Sequence, residues 1–188
     1  MNIVKHMKKT NRIVRAMRER KEYVDYITSR IDVNVLYDTT GNAMETFLEA
    51  LRMAGDEPCI HMEEDILLTS NFDEKIESVI SENKDIVIQF FSMRKKDLTI
   101  GSRLESGRTF CMNQCFYLPE GYSTKLLKYY DLWERKDEHP TGYDLMLADM
   151  LGSEKYLISV PSLVEHRVCK SLINSRRSAY RQSLTFEE

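Results

Sequence analysis

Three consecutive carboxylates, Glu63, Glu64 and Asp65, directly follow the short apolar segment 59–62. Crowding three negative charges at the end of a buried strand is costly unless a positive charge compensates them. A divalent cation shared with a diphosphate would do so, since Mg²⁺ or Mn²⁺ is held by protein carboxylates together with phosphate oxygens and water. Alternation at the strand end places Glu63 and Asp65 on one side and Glu64 on the other. The triplet therefore indicates a cation site, with an acidic helix N-terminus as the alternative.

Basic residues cluster at the two ends of the chain, around an acidic centre. Residues 1–21 contain eight Lys or Arg and one acid, Glu19, whereas the formal net charge of the chain is −3. A second basic stretch, a tail from about residue 167, contains Arg167, Lys170, Arg176, Arg177 and Arg181. This distribution suits a protein that binds phosphates with one part and a metal ion with another, and two solvated helix faces are the alternative.

The bulk composition is that of a globular protein. The chain has 188 residues, of which 42% are hydrophobic and 30% are charged, and this is enough for one domain with its own core. No apolar run approaches the roughly 18 residues that a membrane span requires. The four cysteines have neither CxxC nor disulfide-framework spacing. We therefore expect one domain over residues 1–188, free thiols, no membrane segment and a cytoplasmic location.

Hydrophobic periodicity predicts alternating strands and helices. Strands are predicted at residues 2–6, 33–37, 59–62, 85–91, 110–118 and 156–160. Helices are predicted at residues 10–27, 43–53, 71–80, 123–133 and 141–151. The polar segment 92–108 is predicted to be a long loop that closes over a ligand. This order predicts an α/β sandwich with a mostly parallel sheet, in which ligands bind at the carboxyl ends of strands.

Two segments resemble motifs of a known enzyme family. Residues 60–68, Ile-His-Met-Glu-Glu-Asp-Ile-Leu-Leu, followed by Asn71 and Phe72, resemble the LEDDI segment of GT-A-fold glycosyltransferases, which plays the part of their DxD motif. Residues 161–166, Pro-Ser-Leu-Val-Glu-His, with Ser171 and Leu172 shortly after, are similar to the PSLxQH…SSL segment of the N-acetylglucosaminyltransferase IV family and its bacterial and phage relatives. The resemblance implies a GT-A, Rossmann-like three-layer sandwich with a mostly parallel central sheet.

Two further matches and two departures qualify this resemblance. The pair 91–92, Phe-Ser, and the triplet 143–145, Tyr-Asp-Leu, occur in the matching order, so the four matches lie between residues 33 and 173. Glu64 stands where the family usually has Asp, which leaves the outer acids of the triplet intact. Glu165 stands where the family commonly has Gln, which adds a carboxylate near the implied metal site.

The resemblance implies roles for the matching residues. Asp65 and His166 would ligate a divalent metal, and imidazole beside carboxylate suits Mn²⁺ better than Mg²⁺. Asp144 would be the general base that takes the proton of the acceptor hydroxyl in an inverting transfer. Asp149, which faces another side of the same helix, is the rival base. Among the donor-binding residues, Glu63 would hold the ribose or the sugar.

The remaining donor contacts are predicted from position and charge. Asp38 ends a predicted strand, where related folds contact the nucleotide, and Arg12 is expected to reach the same region. Glu64 belongs to the same donor site. The diphosphate is expected to meet cations of the polar loop or of the basic tail: Arg94, Lys95, Lys96, Arg103, Arg167 and Lys170.

These residues predict a metal-dependent glycosyltransferase that uses a nucleotide-sugar, with a UDP-sugar as the first expectation. The acceptor is open between a glycan or small metabolite and a modified DNA base whose phosphates the basic ends would track. One alternative is a non-catalytic nucleic-acid-binding protein that uses a basic helix over residues 8–21. A second alternative is a metal-dependent nucleotidyltransferase or nuclease, which normally brings a second pair of metal-binding carboxylates.

Overall fold

The computed structural model of the protein describes residues 9–172 and 176–188. The helices within these ranges are α1 (Lys21–Thr28), α2 (Ala43–Ala54), α3 (Phe72–Glu82), α4 (Tyr122–Leu132) and α5 (Tyr143–Leu151). The strands are β1 (Asn11–Ala16), β2 (Asn34–Tyr37), β3 (Cys59–Glu63), β4 (Ile66–Leu68), β5 (Ile88–Gln89), β6 (Arg103–Ser106), β7 (Cys115–Leu118), β8 (Lys155–Ile158) and β9 (Val164–His166). The strand predicted at 2–6 lies outside the described residues.

Within the described residues, seven strands form one sheet in the order β2-β1-β3-β7-β5-β8-β6. Strands β2, β1, β3, β5 and β8 run in one direction, while β7 and β6 run in the other. The prediction of an α/β fold with a mostly parallel sheet is therefore confirmed. The carboxyl ends of β1, β2 and β3 meet at one edge, which is where ligands gather in open sheets of this kind.

Helices cover both faces of this sheet. Helices α1 and α3 pack on one face, where Val14 of β1 and Ile60 of β3 are fully buried. Helices α2, α4 and α5 pack on the other face, against residues such as Phe116 of β7. Because side chains alternate along a strand, Val14 and Arg15 of β1 point to opposite faces. Strands covered on both faces lose most of their apolar surface to the two cores, and this burial is the main stabilising term of the fold.

A second, two-stranded sheet connects distant parts of the chain. Strands β4 and β9 pair antiparallel, with Ile66 opposite His166 and Leu68 opposite Val164. The Arg167 N–H extends this ladder by donating to the carbonyl oxygen of Asp65 at 2.8 Å. Neither strand was predicted, because three residues are too few to show a periodicity. Their pairing fixes Asp65 beside His166.

The helix predicted at 10–27 is wrong in its first half. Residues 11–16 form β1, which pairs with β2 and β3 inside the sheet, and helical structure begins with a short 3-10 turn at Arg18–Arg20. Ile13 and Val14 fit both a helical face and a buried strand, and the neighbouring strands decide in favour of the strand. The basic helix that the nucleic-acid-binding alternative requires over residues 8–21 is therefore absent from the described residues 9–21.

The loop predicted at 92–108 is also wrong in part. Residues 95–98 form a 3-10 helix, and β6 pairs with β8 at the edge of the sheet. Arg103 forms ion pairs with Asp97 at 2.7 Å and Glu105 at 2.8 Å. Lys96 also pairs with Glu105. The segment thus belongs to the body of the protein rather than to a lid.

Strand β7 is shorter than the predicted strand 110–118. It begins only at Cys115, because Met112 has a left-handed backbone conformation with φ of 64°. Strand β5 likewise covers two residues of the predicted 85–91 run, although Val87, Phe90 and Phe91 around it are buried. In the described part of the chain, no helix has the length and apolar character that a bilayer crossing requires.

Candidate functional site

A cleft of about 250 Å³ opens at the carboxyl ends of β1, β2 and β3. Its walls come from the strand ends, from the first turn of α5 and from the C-terminal segment. The charged residues that line it are Arg15, Arg20, Asp38, Glu63, Glu64, Asp65, Asp144, Arg177 and Arg181. Acidic and basic side chains therefore share one concave site, which is the form expected of a small-ligand site.

Asp65 is the most buried acid of the cleft wall, with 4% of its surface exposed. Its Oδ2 atom lies 2.7 Å from Nη1 of Arg20 and 3.2 Å from Nε2 of His166. Burial alone would raise the pKa of Asp65, but His166, Arg20 and Arg181 outweigh it and hold the pKa at about 2. Its Oδ1 atom is buried and has no hydrogen-bond partner among the described residues.

His166 is fully buried beside Asp65. Neither of its ring nitrogens makes a directed hydrogen bond with a described residue, although Nε2 lies close to the Asp65 carboxylate. A thiol adds a third group, because Sγ of Cys169 lies 3.7 Å from Oδ2 of Asp65. One ligand atom from each of the three side chains falls within 4.8 Å of the others. Buried oxygen and nitrogen atoms that lack a hydrogen-bond partner, with a thiol beside them, are suited to bind a divalent cation.

Arg20 compensates the acidic triplet, and sequence analysis missed it. Its Nη1 donates to Glu64 at 3.1 Å and to Asp65 at 2.7 Å, and its Nη2 donates to the carbonyl oxygen of Lys170 at 2.5 Å. The crowding of carboxylates is thus offset by a guanidinium, so crowding alone does not require a metal ion. Burial and the charge of Asp65 still raise the pKa of Glu64 to about 7. The assignment of residues 10–27 to one helix concealed this role.

Glu63 and Arg15 form a second part of the cleft with Tyr143. The Tyr143 hydroxyl donates to the Glu63 carboxylate, and burial together with Glu63 raises the pKa of Tyr143 well above 10, although Arg15 opposes the shift. The Arg15 guanidinium lies 4.6 Å from the centre of the Tyr143 ring and 5.1 Å from that of Phe47. Among residues 9–172 and 176–188, no carboxylate forms an ion pair with Arg15, and its buried Nε lacks a partner. Arg15 was also missed.

The two candidate bases differ in position. Asp144 lies in the first turn of α5 and lines the cleft, where its Oδ1 accepts the N–H of Leu145 at 3.0 Å. Asp149 is not a cleft residue, since its carboxylate accepts from Trp133 Nε1 at 2.9 Å and from Arg135 at 2.9 Å. Of the two candidate bases, only Asp144 therefore lies where it can contact a ligand in the cleft, because Asp149 is held by Trp133 and Arg135 outside it.

Asp38 lines the cleft but is engaged by its own loop. Its Oδ1 accepts the backbone N–H groups of Thr40 and Gly41, both at 2.8 Å. Burial opposes ionisation, yet these bonds prevail and lower the pKa of Asp38. A carboxylate held in this way shapes the rim of the cleft and remains ionised.

The structure places Arg12, Arg94 and Lys170, which were predicted to contact the donor, outside the lining of the cleft. Arg12 points to the other face of the sheet and forms ion pairs with Asp73 at 2.6 Å and Glu77 at 2.9 Å. Arg94 donates to the carbonyl oxygen of Thr109 and to the Tyr156 hydroxyl, both at 2.9 Å. Lys170 is exposed, and only its backbone carbonyl faces the site, through Arg20. None of the three lines the cleft.

The other predicted cations are also occupied elsewhere. Arg167 lies on the rings of Tyr23 and Tyr26, at 4.6 and 4.5 Å from their centres. Lys95 is not a cleft residue, and neither are Lys96 and Arg103, which pair with acids around β6. Their place is taken by Arg15 and Arg20 from the N-terminal part of the chain and by Arg177 and Arg181 from the C-terminal segment.

The segment 176–188 lies against the small sheet. The Ser183 N–H donates to the Glu165 carboxylate at 2.9 Å, and the same oxygen accepts the His166 N–H at 2.8 Å. Thr69 donates through its hydroxyl to the carbonyl oxygen of Glu187 at 2.6 Å. Burial raises the pKa of Glu165, although these two N–H bonds oppose the shift. Glu165 thus anchors the tail and does not add a ligand beside Asp65.

Comparisons with known proteins identify no family. No protein-family model matches the sequence, and a search of curated proteins finds no match. Nineteen chains of solved structures are similar to this one. Among them, the crystal structure of A197 from STIV superposes with a TM-score of 0.45 at 14% identity, over 85% of this chain and 87% of that chain. A likeness of this degree carries no argument about function.

Proposed function

We propose that the chain is a cation-dependent glycosyltransferase of the GT-A type that uses a nucleotide-sugar, with a UDP-sugar as the first donor to test. The observation that carries the proposal is the composition of one cleft at the carboxyl ends of parallel strands. Asp65, Asp144 and Arg15 line it, and His166 is buried directly beside Asp65. Transfer from a nucleotide-sugar uses all of these groups. A bound cation and an arginine neutralise the anionic diphosphate, and a carboxylate takes the proton of the acceptor hydroxyl.

The basic side of the cleft fits the diphosphate of the donor. Arg15 lines the cleft and has no competing carboxylate among the described residues, so its guanidinium can pair with a phosphate oxygen. Arg177 and Arg181 add positive charge from the C-terminal segment. A cation held by Asp65 and His166 would neutralise the departing diphosphate, which is the electrostatic part of catalysis. Arg20 holds the carboxyl groups of Glu64 and Asp65 in place by donating to both.

The acidic side of the cleft fits the reacting sugar and the acceptor. Glu63, oriented by the Tyr143 hydroxyl, accepts hydrogen bonds from the ribose or the sugar. Asp144 takes the proton of the acceptor hydroxyl while that oxygen bonds to the anomeric carbon. The bond between the anomeric carbon and the phosphate oxygen breaks at the same time, and the nucleoside diphosphate leaves. Attack opposite to the leaving group inverts the configuration of the sugar.

The acceptor is either a glycan or small metabolite or a hydroxymethylated DNA base. The cationic residues around the cleft would track phosphates in the second case. Binding of a nucleic acid through such contacts falls linearly with the logarithm of salt concentration, whereas binding of a neutral glycan does not. Transfer assays at two salt concentrations therefore separate the two acceptor classes.

Thermal denaturation with a panel of nucleotides tests the proposal. Nucleoside diphosphates, nucleotide-sugars and nucleoside triphosphates are added with and without Mn²⁺, Mg²⁺ or Zn²⁺. A ligand at a hundredfold excess over its dissociation constant stabilises the protein by about 2.7 kcal/mol, a shift of about 5–10 °C for this size. We expect a nucleotide-sugar to give the shift and a divalent cation to enlarge it. The absence of any shift contradicts the proposal, and release of pyrophosphate from a triphosphate supports a nucleotidyltransferase instead.

A further inference from the structure

The group of side chains around Asp65 contains a sulfur atom that the proposed donor chemistry leaves unused. Sγ of Cys169 lies 3.7 Å from Oδ2 of Asp65, and Nε2 of His166 lies 3.2 Å from the same oxygen. Asp65 and His166 are more than nine-tenths buried, and both present atoms without a hydrogen-bond partner among the described residues. Oxygen, nitrogen and sulfur donors thus converge on one point.

We propose that Cys169 is the third protein ligand of the cation and that the ion is a thiophilic one of the Zn²⁺ class, rather than Mn²⁺ or Mg²⁺. This inference rests on the proposed function, because it concerns the cation of the same cleft. Hard cations such as Mg²⁺ take oxygen ligands, whereas thiolate and imidazole select Zn²⁺ and similar ions. Three protein ligands are typical of catalytic zinc sites, where water or substrate takes the remaining position.

Positive charge already lies beside the cluster, because Arg20 and Arg181 approach Oδ2 of Asp65 at 2.7 and 3.9 Å. A divalent cation adds to this charge. A thiolate at position 169 supplies negative charge that a neutral serine cannot supply, and uncompensated charge is costly in a buried region. The sulfur therefore offsets positive charge as well as forming a bond.

The backbone holds Cys169 in place for this role. His166 is fixed by the pairing of β9 with β4, and Cys169 follows it three positions further along the chain. Arg20 donates to the carbonyl oxygen of Lys170, the next residue in the chain, while it also contacts Asp65. One guanidinium thus positions both the carboxylate and the segment that carries the thiol. Support of metal ligands by such outer contacts is a general feature of metal sites.

Titration with Co²⁺, a spectroscopic substitute for Zn²⁺, tests the inference on the full chain. We expect each wild-type chain to bind one Co²⁺ ion and to show a thiolate-to-cobalt charge-transfer band in the near ultraviolet. The band should disappear in Cys169→Ser and persist in the matched control Cys111→Ser, whose thiol lies outside the cluster. Zn²⁺ affinity should fall at least about 100-fold in Cys169→Ser alone, since loss of a supporting contact already costs about 10–100-fold.

X-ray absorption on zinc-loaded wild type supplies a measurement that needs no variant. One sulfur at about 2.3 Å from zinc supports the inference, and a shell of oxygen and nitrogen alone overturns it. Co²⁺ binding without the charge-transfer band also overturns it, and if nucleotide-sugar then still shifts the melting temperature, the proposed function stands. Failure to bind both metal and nucleotide-sugar removes both proposals together.

Discussion

Arg12 and Arg15 lie three residues apart on β1, and their surroundings are opposite in kind. Both are buried, with 2% and 6% of their surface exposed. Arg12 faces α3, where Asp73 and Glu77 receive its guanidinium at 2.6 and 2.9 Å. Arg15 faces the cleft, where aromatic rings surround it and no described carboxylate pairs with it.

The comparison distinguishes an arginine that stabilises the fold from an arginine that is available to bind an anionic ligand. A buried guanidinium that pairs with two carboxylates has its charge neutralised within the protein and contributes to folding. A buried guanidinium without a counter-charge costs free energy unless a ligand anion completes it. Residues of the cleft should therefore affect binding and transfer, whereas residues around Arg12 should affect stability. The following predictions, in order of decreasing effect, test this division.

Asp144→Asn should have the largest effect. We expect the transfer rate to fall by about 10²–10⁴-fold, because the acceptor hydroxyl loses its general base. Asp149→Asn on the same helix is the matched control and should keep the transfer rate, since Asp149 contacts Trp133 and Arg135 outside the cleft. Nucleotide binding should be unchanged in Asp144→Asn. Equal losses in both variants would contradict the assignment of the base.

Arg12→Met should destabilise the protein by about 2 kcal/mol, because Asp73 and Glu77 lose the buried guanidinium that pairs with both. The effect is moderate since Asp73 and Glu77 are partly exposed and solvent screens them. Chemical denaturation measures the loss. Nucleotide affinity should remain that of wild type. A variant that keeps its stability but loses nucleotide affinity would contradict the assignment of Arg12 to stability.

Arg15→Met should weaken nucleoside diphosphate binding by about tenfold, equivalent to about 1.4 kcal/mol. The methionine side chain retains the apolar contact with the rings of Phe47 and Tyr143. It removes a buried charge that pairs with no carboxylate in the described part of the chain. The melting temperature without ligand should therefore stay the same or rise. A melting temperature that falls as far as in Arg12→Met would show that Arg15 is a structural residue.

Acid should reduce the stability difference between wild type and Arg12→Met. Burial opposes ionisation of Asp73, but Lys9 and Arg12 lower its pKa below the ordinary value. For a carboxyl group with a lowered pKa, the stabilisation is present above the unfolded pKa of about 4 and is lost as pH falls through the folded value. Denaturation curves at pH 6 and at about pH 3 should show the difference becoming smaller. The difference in stability between wild type and Arg15→Met should not change with the titration of Asp73, because Arg15 does not contact that residue.

Much of the fold could be predicted from periodicity. Strand β2, helices α2 to α5 and strands β3 and β8 lie close to their predicted places, because each carries an amphipathic or apolar pattern of its own. Strand β1 was mistaken for a helix because its pattern fits both structures, and only its two neighbours in the sheet decide. Strands β4, β6 and β9 owe their existence to pairing with distant residues, which no local pattern reveals.

The candidate site could be predicted only where a motif marked it. The structure brings Asp65, His166, Glu63 and Asp144 to one cleft region, while their chemical roles stay predictions. The arginines were assigned by charge alone, and charge does not show which face of an element a side chain occupies. Arg12 and Arg94 were chosen in this way, whereas Arg15 and Arg20 reach the cleft through the register of β1 and the turn after it.

The carboxylate of Glu165 ties the last residues of the chain to the strand that carries His166. A protein trimmed after residue 182, or fused to a partner that pulls this segment away, keeps every proposed ligand and base. It nevertheless leaves a buried carboxylate with one N–H donor fewer, next to His166. Loss of activity in such a protein would result from disturbed packing around His166 and not from the loss of a ligand or base. Affinity tags are therefore better attached at the N-terminal end.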